Sequence, residues 1–209
     1  MNTTTRKAKK PKAGKPLPPA IPPLPVRRFT VDEYHRMIET RILIDREPYE
    51  LIHGWIVQKM VLNPPHNYAV NALNELFGLM RGPKATVRIQ QPITTTDSEP
   101  EPDVVIAAGT RADYADRNPL PSEVHVLVEV ADSSLKNDQT TKLELYAEAK
   151  IRLYWIVNLV DRRVDVYTEP NGGKKPAYKL HKDYTINDSV PLFIGGKEMG
   201  VIPVKELMP

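Results

Sequence analysis

Two short apolar segments, each with one carboxylate, constrain this chain more than any other feature. Residues 102–108 read Pro-Asp-Val-Val-Ile-Ala-Ala, and residues 123–130 read Glu-Val-His-Val-Leu-Val-Glu-Val. Nearly continuous apolar runs of this length are typical of strands that are buried on both faces of a sheet. A carboxylate in such a strand is costly to bury unless it pairs with a cation or holds a metal ion. Asp103 and Glu129 are therefore the first candidates for a functional site.

The two segments can bring their carboxylates together. If they pair as antiparallel strands across the loop 109–122, the start of the first lies beside the end of the second. A pairing centred near position 116 sets Asp103 opposite Glu129 at one edge of the sheet, whereas a slip of one residue turns Glu129 to the other face. Lys142 lies in the helix that follows, which can return over the same edge. The sequence thus predicts two acids and one amine in one place.

These residue types indicate metal-assisted hydrolysis of a phosphodiester. Mg²⁺ takes carboxylate oxygens, waters and phosphate oxygens as ligands. A bound ion polarises the phosphoryl group and lowers the pKa of water, and a nearby ammonium group offsets charge in the transition state. One alternative stays open at this point: Glu129 and Lys142 form a structural ion pair, and Asp103 only ends a strand.

The rest of the chain predicts an α/β fold with a mixed central sheet flanked by helices. A capping box of Thr30 and Glu33 begins one helix, and Asn63 followed by two prolines begins another. We expect no second core. The expected strands are 49–52, 55–61, 86–96, 102–108, 123–130, 152–159, 163–168 and 177–181, and a third helix covers 138–150. On the second helix, the apolar residues Tyr68, Ala72, Leu76 and Leu79 or Met80 recur at helical spacing.

The charge is distributed unevenly along the chain. Residues 1–28 carry eight bases, no acid and seven of the 21 prolines, whereas residues 29–209 carry 21 bases against 26 acids, a net charge of −5. Residues 1–28 are therefore predicted to be a disordered basic tail, and residues 29–209 one folded domain. The tail either holds nucleic acid loosely or serves as a solubilising or targeting segment. Since the body is acidic, a phosphate site there needs local bases or metal ions.

Several classes of protein are excluded or disfavoured. The chain has no cysteine, which excludes disulfides and thiolate metal sites and is compatible with a reducing compartment. No apolar run approaches the ~18 residues of a membrane span, and no signal-peptide core is present. We therefore expect a cytoplasmic protein with no membrane partner. Ser133 and Ser134 follow a strand, but no histidine and acid at suitable spacing support a serine nucleophile.

Six segments between residues 29 and 159 carry a family resemblance. In chain order they are FTVDEYHRM, YELIHGWIV, PPHNYAVNAL, EPDVVIA, LVEVADSS and KLELYAEAKIRLYWIVNL. Together they resemble the Uma-type family of restriction endonucleases, within the PD-(D/E)XK nuclease superfamily. The resemblance implies a restriction-endonuclease-like nuclease domain that cleaves DNA with Mg²⁺, for which Mn²⁺ is a possible substitute. A homodimer is a further expectation, because cutting both strands often needs two sites.

The resemblance also assigns roles to individual residues. It implies that Asp103 and Glu129 bind the metal ion and that the backbone carbonyl of Val130 faces it. The superfamily usually has a lysine two positions after the central acid, where this chain has Ala131. In the Uma-type family the lysine comes from the next helix, which makes Lys142 the third catalytic residue.

Two residues in matching segments are possible auxiliary groups. Glu50 is a candidate ligand for a second metal ion or a water, against the alternative of an exposed glutamate. His66, in the first turn of a helix, is a candidate phosphate contact or proton shuttle, against the alternative of a solvent-facing histidine.

The strand before the site offers weaker candidates. Arg88 and Gln91 are candidate phosphate contacts, whereas Tyr146 and Trp155 are expected to be core aromatics. The chain has no recognisable DNA-reading motif, and its body is acidic. A catalytically inactive nuclease-fold module that acts in interaction or DNA binding therefore stays open as an alternative function.

Overall fold

The computed structural model describes residues 26–44, 48–59 and 63–209. The predicted disorder of residues 1–25, and the end of the second predicted strand, lie outside the described residues. The helices are α1 (Val31–Glu39), α2 (Pro64–Met80), α3 (Leu135–Asp138) and α4 (Thr141–Glu148). The strands are β1 (Tyr49–Ile52), β2 (Trp55–Gln58), β3 (Ala85–Ile89), β4 (Val104–Ala108), β5 (Val124–Ala131), β6 (Leu153–Asn158), β7 (Arg163–Asn171), β8 (Ala177–Thr185), β9 (Ser189–Ile194) and β10 (Lys197–Pro203).

A six-stranded sheet forms the centre of the described part of the chain. Its strand order is β3-β4-β5-β6-β7-β8. β5 and β6 run parallel, and every other neighbouring pair runs antiparallel. A parallel pair needs a crossover connection, which α3 and α4 supply. This confirms the predicted mixed sheet flanked by helices.

The register between β4 and β5 determines where the two acids lie. Val104 is opposite Val128, and Val105 is opposite Leu127. This confirms the predicted antiparallel pairing and its centre at position 116. Continued by one residue beyond Val104, the same register sets Asp103 opposite Glu129. Residues that are directly opposite on neighbouring strands point to the same face of the sheet, so both carboxylates lie on one face.

Capping residues fix the starts of the first two helices, as predicted. The side chain of Thr30 accepts from the N–H of Glu33, whose carboxylate in turn accepts from the N–H of Thr30. Asn63 caps α2 by accepting from the N–H of His66 at 3.0 Å. The cap anchors the first turn of α2, which carries His66.

The apolar stripe of α2 is not the fully packed face of the helix, although Met80 packs partly against the core. Tyr68 is 48% exposed and Leu79 85% exposed. Ala72 and Leu76 are only partly buried, and the fully packed face is instead Ala69, Val70, Leu73 and Phe77. Apolar residues occur on more than one side of this helix, so helical spacing alone does not decide which side packs against the sheet.

Apolar residues pack in a layer on each face of the sheet. On one face lie α2, the β9–β10 hairpin and the carboxyl-terminal residues Leu207 and Met208. On the other face lie α4 and the β1–β2 hairpin, with Tyr146 and Ile52 among their buried side chains. The acids Asp103 and Glu129 share this second face. None of the described helices has the length and apolar character needed to cross a membrane.

Several predicted elements have different bounds in the structure. β3 ends at Ile89 rather than at 96, because Gln90 adopts a positive φ of 49° and Pro92 has no N–H for a ladder. The predicted helix 138–150 corresponds to α4, which begins only at Thr141, whereas Asp138 ends the separate short helix α3. β7 and β8 extend beyond the predicted 163–168 and 177–181.

Candidate active site

Glu129 lies near the end of β5 and is almost fully buried, with 4% exposure. One of its carboxylate oxygens, Oε1, accepts from the Tyr146 hydroxyl at 2.6 Å and from the Lys142 ammonium group at 3.0 Å. Within the described residues, the other oxygen, Oε2, accepts no hydrogen bond. Glu129 borders a cavity, so this second oxygen is available to a ligand.

Asp103 precedes β4 and is held by three neighbours. Its Oδ2 accepts from the N–H of Val130 at 2.8 Å and lies 3.0 Å from Nε2 of His66. Its Oδ1 lies 3.4 Å from the side-chain nitrogen of Gln90. The side chain therefore bridges the end of β5, the first turn of α2 and the segment after β3.

Lys142 joins Glu129 to a second buried acid. Its ammonium nitrogen lies 3.4 Å from Oε2 of Glu50, which also accepts from the N–H of Glu101 at 3.1 Å. Glu50 is 4% exposed, so the alternative of an exposed glutamate is wrong. His66 is 7% exposed, so the alternative of a solvent-facing histidine is wrong as well.

Burial and mutual attraction set the charge states of these groups. Burial raises the pKa of Glu129 well above its ordinary value, and the Lys142 ammonium group acts in the opposite direction. Burial alone would lower the pKa of Lys142, but the carboxylates of Glu129, Glu50 and Asp138 raise it overall. For His66, burial lowers the pKa and contact with Asp103 raises it, with a net increase. Lys142 is therefore a fixed positive charge at neutral pH.

The site opens into a cavity of about 1030 Å³. One wall comes from α1 and the β1–β2 hairpin, and the other from the ends of β4 and β5 with α3 and α4. Two lysines line it, Lys59 and Lys142, and Lys59 already forms an ion pair with Glu101. The acids that line it are Glu50, Glu101, Asp103, Glu129, Asp132 and Asp138.

The donor set fits a hard divalent cation. Carboxylates outnumber ammonium groups around the cavity, and Mg²⁺ prefers oxygen ligands. The N–H and C=O of one strand residue point to the same side of the strand, and the N–H of Val130 points to Asp103. The carbonyl of the next residue, Ala131, points the other way and accepts from the N–H of Leu159. The Val130 carbonyl therefore faces the side on which Asp103 lies.

A second acidic cluster lies elsewhere on the same face. Among the described residues, the group of three potential ligands whose atoms lie within 4.8 Å of one another is Asp165, His181 and Asp183. None of them borders the cavity. Arg163 already lies 2.7 Å from Oδ1 of Asp165 and 3.6 Å from Oδ2 of Asp183, so a cation is present in this cluster.

The weaker candidates, Arg88 on β3 and Gln91 just after it, do not reach the site. Gln91 is exposed and does not border the cavity, whereas its neighbour Gln90 does. Arg88 points to the side of Tyr114, with its guanidinium carbon 5.3 Å from the ring centre, and donates to Asn118. An auxiliary role of Gln91 stays a prediction that receives no contact in its support.

Sequence reasoning missed three residues at the site. The sequence favours Gln91 over Gln90, because it predicts a continuous strand from 86 to 96 there. Asp138 is 2% exposed and borders the cavity, and burial raises its pKa to about 6. Tyr146 and Trp155 are both fully buried, as expected of core aromatics, but the Tyr146 hydroxyl also contacts Glu129. The spacing of Lys142 and Tyr146 by one helical turn was the available signal.

Comparison with known proteins agrees with this fold. A structure described as that of a putative nuclease belonging to DUF820 from Anabaena variabilis matches with a TM-score of 0.63 and 16% sequence identity. The match covers 86% of this chain and 97% of that chain. At this identity the likeness shows a shared fold. No curated protein matches the chain.

A protein-family match covers most of the chain. The family is Uma2, described as "Putative restriction endonuclease", and its model matches residues 31–194. The matched span contains every strand from β1 to β9, together with the acids and the lysine around the cavity. The chain therefore belongs to the Uma2 family of restriction-endonuclease-like nucleases.

Proposed function

We propose that the chain is an endonuclease that hydrolyses DNA phosphodiester bonds with Mg²⁺, or with Mn²⁺ in its place. In this proposal Asp103, Glu129 and the backbone carbonyl of Val130 hold the ion, and Lys142 assists the reaction. The observation that carries the proposal is the meeting of Asp103 and Glu129 on one face at the wall of one cavity, with Lys142 bonded to Glu129. Membership in a nuclease family supports the choice of substrate class.

The ion, when bound, supplies a Lewis acid for the phosphoryl group and lowers the pKa of a water molecule. The protein holds and orients the side chains that bind the ion. Asp103 is oriented by the N–H of Val130 and by His66, and such supporting contacts fix the direction of a ligand. Cations are also needed because the cavity is strongly acidic and would otherwise repel phosphate.

Lys142 is placed to act on the phosphate or on the attacking water. An ammonium group has three N–H donors. Two carboxylates, those of Glu129 and Glu50, lie within 3.4 Å of it, which leaves donor capacity toward the cavity. A fixed positive charge there stabilises the negative charge that develops in the transition state. Glu50 holds Lys142 in place and is a candidate ligand for a second ion or a water.

The proposal is tested by cleavage of linear, supercoiled and single-stranded DNA by the full-length protein with Mg²⁺ or Mn²⁺. Asp103→Asn keeps the size of the side chain and removes a charged ligand. We expect it to lower the cleavage rate about 10²–10³-fold, as loss of one charge-stabilising group does in other enzymes. Asp116→Asn, in the loop between β4 and β5, is the control and should cut at the wild-type rate. Wild-type protein that cuts no DNA form with either metal ion contradicts the proposal.

The inactive-module alternative predicts a different result. If Lys142, Glu129 and Glu50 form only a structural ion network, calorimetric titration with Mn²⁺ gives no binding, or binding that Asp103→Asn leaves unchanged. The predicted homodimer and cytoplasmic location stay predictions. Sedimentation of the protein with and without DNA tests the homodimer.

A further inference from the structure

The carboxylate of Glu129 is used asymmetrically. Both hydrogen bonds that it accepts, from the Tyr146 hydroxyl at 2.6 Å and from the Lys142 ammonium group at 3.0 Å, go to Oε1. Within the described residues, Oε2 accepts none. One oxygen is thus occupied by two donors, and the other is left without a hydrogen bond on a side chain that lines the cavity.

Helix α4 makes this arrangement possible. Lys142 and Tyr146 are four residues apart, so they lie on the same side of the helix. Tyr146 is 0% exposed, and its ring packs edge-on against that of Tyr154, with centroids 5.0 Å apart. A ring held this tightly has little freedom, so its hydroxyl is a fixed donor. A tyrosine hydroxyl is protonated at neutral pH, so it acts as the donor in this contact.

We infer that Tyr146 is a positioning residue, whose hydroxyl group, with Lys142, occupies Oε1 of Glu129 and thereby leaves Oε2 as the single metal ligand of that side chain. This inference rests on the proposed function and goes beyond it, because it assigns a role to a residue that touches neither metal nor substrate. Supporting contacts of this kind orient a ligand and tune its affinity for metal, and their loss typically costs 10–100-fold in affinity or activity.

The chain offers a closely matched control. Tyr154 is also 0% exposed and belongs to the same core. Its hydroxyl donates one hydrogen bond as well, but to the backbone carbonyl of Asp138, at 3.0 Å. Removing either hydroxyl therefore removes one buried hydrogen bond and no ring packing. Only the hydroxyl of Tyr146 contacts Glu129.

The experiment compares Tyr146→Phe with Tyr154→Phe in the full-length protein. Calorimetric titration with Mn²⁺ measures affinity without substrate, and thermal unfolding measures the structural cost of each change. We expect both variants to unfold at similar temperatures. We expect Tyr146→Phe to weaken Mn²⁺ binding about 10–100-fold, as loss of a supporting contact does, and Tyr154→Phe to stay close to wild type. Equal Mn²⁺ affinities for the two variants overturn the inference.

The outcomes separate this inference from the proposed function. Wild-type protein that binds no Mn²⁺ overturns both. Wild-type protein that binds Mn²⁺ and cuts DNA, while the two variants behave alike, overturns the inference alone.

If Tyr146→Phe does not fold, infrared difference spectra of the wild type with and without Mg²⁺ decide the question. Selective ¹³C labelling of the glutamate carboxyl groups shifts their bands and so distinguishes them from the bands of Asp103. A wide separation of the antisymmetric and symmetric stretches, as in one-oxygen coordination, supports the inference, and a narrow one overturns it.

Discussion

Two charged clusters share one face of the sheet and differ in what surrounds them. The cavity cluster consists of Glu50, Asp103, Glu129 and Lys142, and the hairpin cluster of Arg163, Asp165, His181 and Asp183. A single cross-strand row links them, since Glu129 is opposite Ile156, Ile156 opposite Asp165, and Asp165 opposite Asp183. The two clusters thus belong to one row, two strands apart, or about 10 Å at the usual strand spacing.

The two clusters balance their charges in different ways. In the hairpin cluster, Arg163 contacts both carboxylates, and His181 stacks on Tyr167 with centroids 4.3 Å apart. In the cavity cluster, one ammonium group faces several buried acids, and among the described residues Oε2 of Glu129, on the wall of the cavity, accepts no hydrogen bond. The ligand atoms approach one another most closely in the hairpin cluster, yet that cluster already holds a cation. A concave site with unneutralised oxygens is therefore a better indication of function than the proximity of acids alone.

The largest expected difference concerns metal binding and cleavage. Glu129→Gln removes a charged ligand from the cavity cluster, and we expect it to abolish measurable Mn²⁺ binding there and to lower DNA cleavage about 10³-fold. Asp165→Asn makes the same chemical change in the same row and should leave both properties unchanged. Calorimetry and a cleavage time course measure the two effects. Loss of Mn²⁺ binding in Asp165→Asn instead would move the metal site to the hairpin.

A second comparison removes the cationic side chain of each cluster in turn, Arg163 from the hairpin cluster and Lys142 from the cavity cluster. Arg163→Ala leaves Asp165, which is 0% exposed, without its guanidinium partner. Asp165 then keeps its contacts with Asn158 at 3.4 Å and His181 at 3.7 Å. Loss of one partner of a buried polar group costs about 1–3 kcal/mol, so we expect a lower free energy of unfolding with cleavage by the folded protein unchanged. Lys142→Gln should instead abolish cleavage. Urea unfolding and cleavage assays measure the two effects, and a folded Lys142→Gln variant with the wild-type rate would reduce the cavity cluster to a structural network.

The smallest effect is expected for the histidines. His66 lies 3.0 Å from Asp103, and His181 lies 2.8 Å from Asp183, so each contacts one acid of its cluster. His66→Asn removes a supporting contact of a metal ligand, and we expect about 10-fold weaker Mn²⁺ binding. His181→Asn should have no effect on this affinity. Titration with Mn²⁺ measures both, and equal affinities would mean that His66 does not orient Asp103.

Much of the fold could be predicted because its signals are local. The two apolar runs around Asp103 and Glu129 are long enough to specify strands, and the loop 109–122 between them allows the antiparallel pairing centred near position 116. The capping residues Thr30 and Asn63 specify the helix starts through hydrogen bonds to their own next turn. The crossover by α3 and α4 then brings Lys142 to the same edge. These features place the core of the candidate site.

The remaining features depend on contacts between distant segments. Glu50 is buried because Lys142 and the N–H of Glu101 meet it, and neither is near it in sequence. The positive φ of Gln90 ends β3 and turns this side chain, rather than that of Gln91, toward Asp103. Which residues of α2 are buried depends on how the helix packs against the sheet. Sequence periodicity carries no information about such choices.

Diffraction from crystals soaked in Mn²⁺, recorded at a wavelength where manganese scatters anomalously, tests the central claim most directly. The account predicts one strong anomalous peak in the cavity, bonded to an oxygen of Asp103, to Oε2 of Glu129 and to the carbonyl of Val130. A peak held by Asp165, His181 and Asp183 with none in the cavity, or no peak at either cluster, would contradict it.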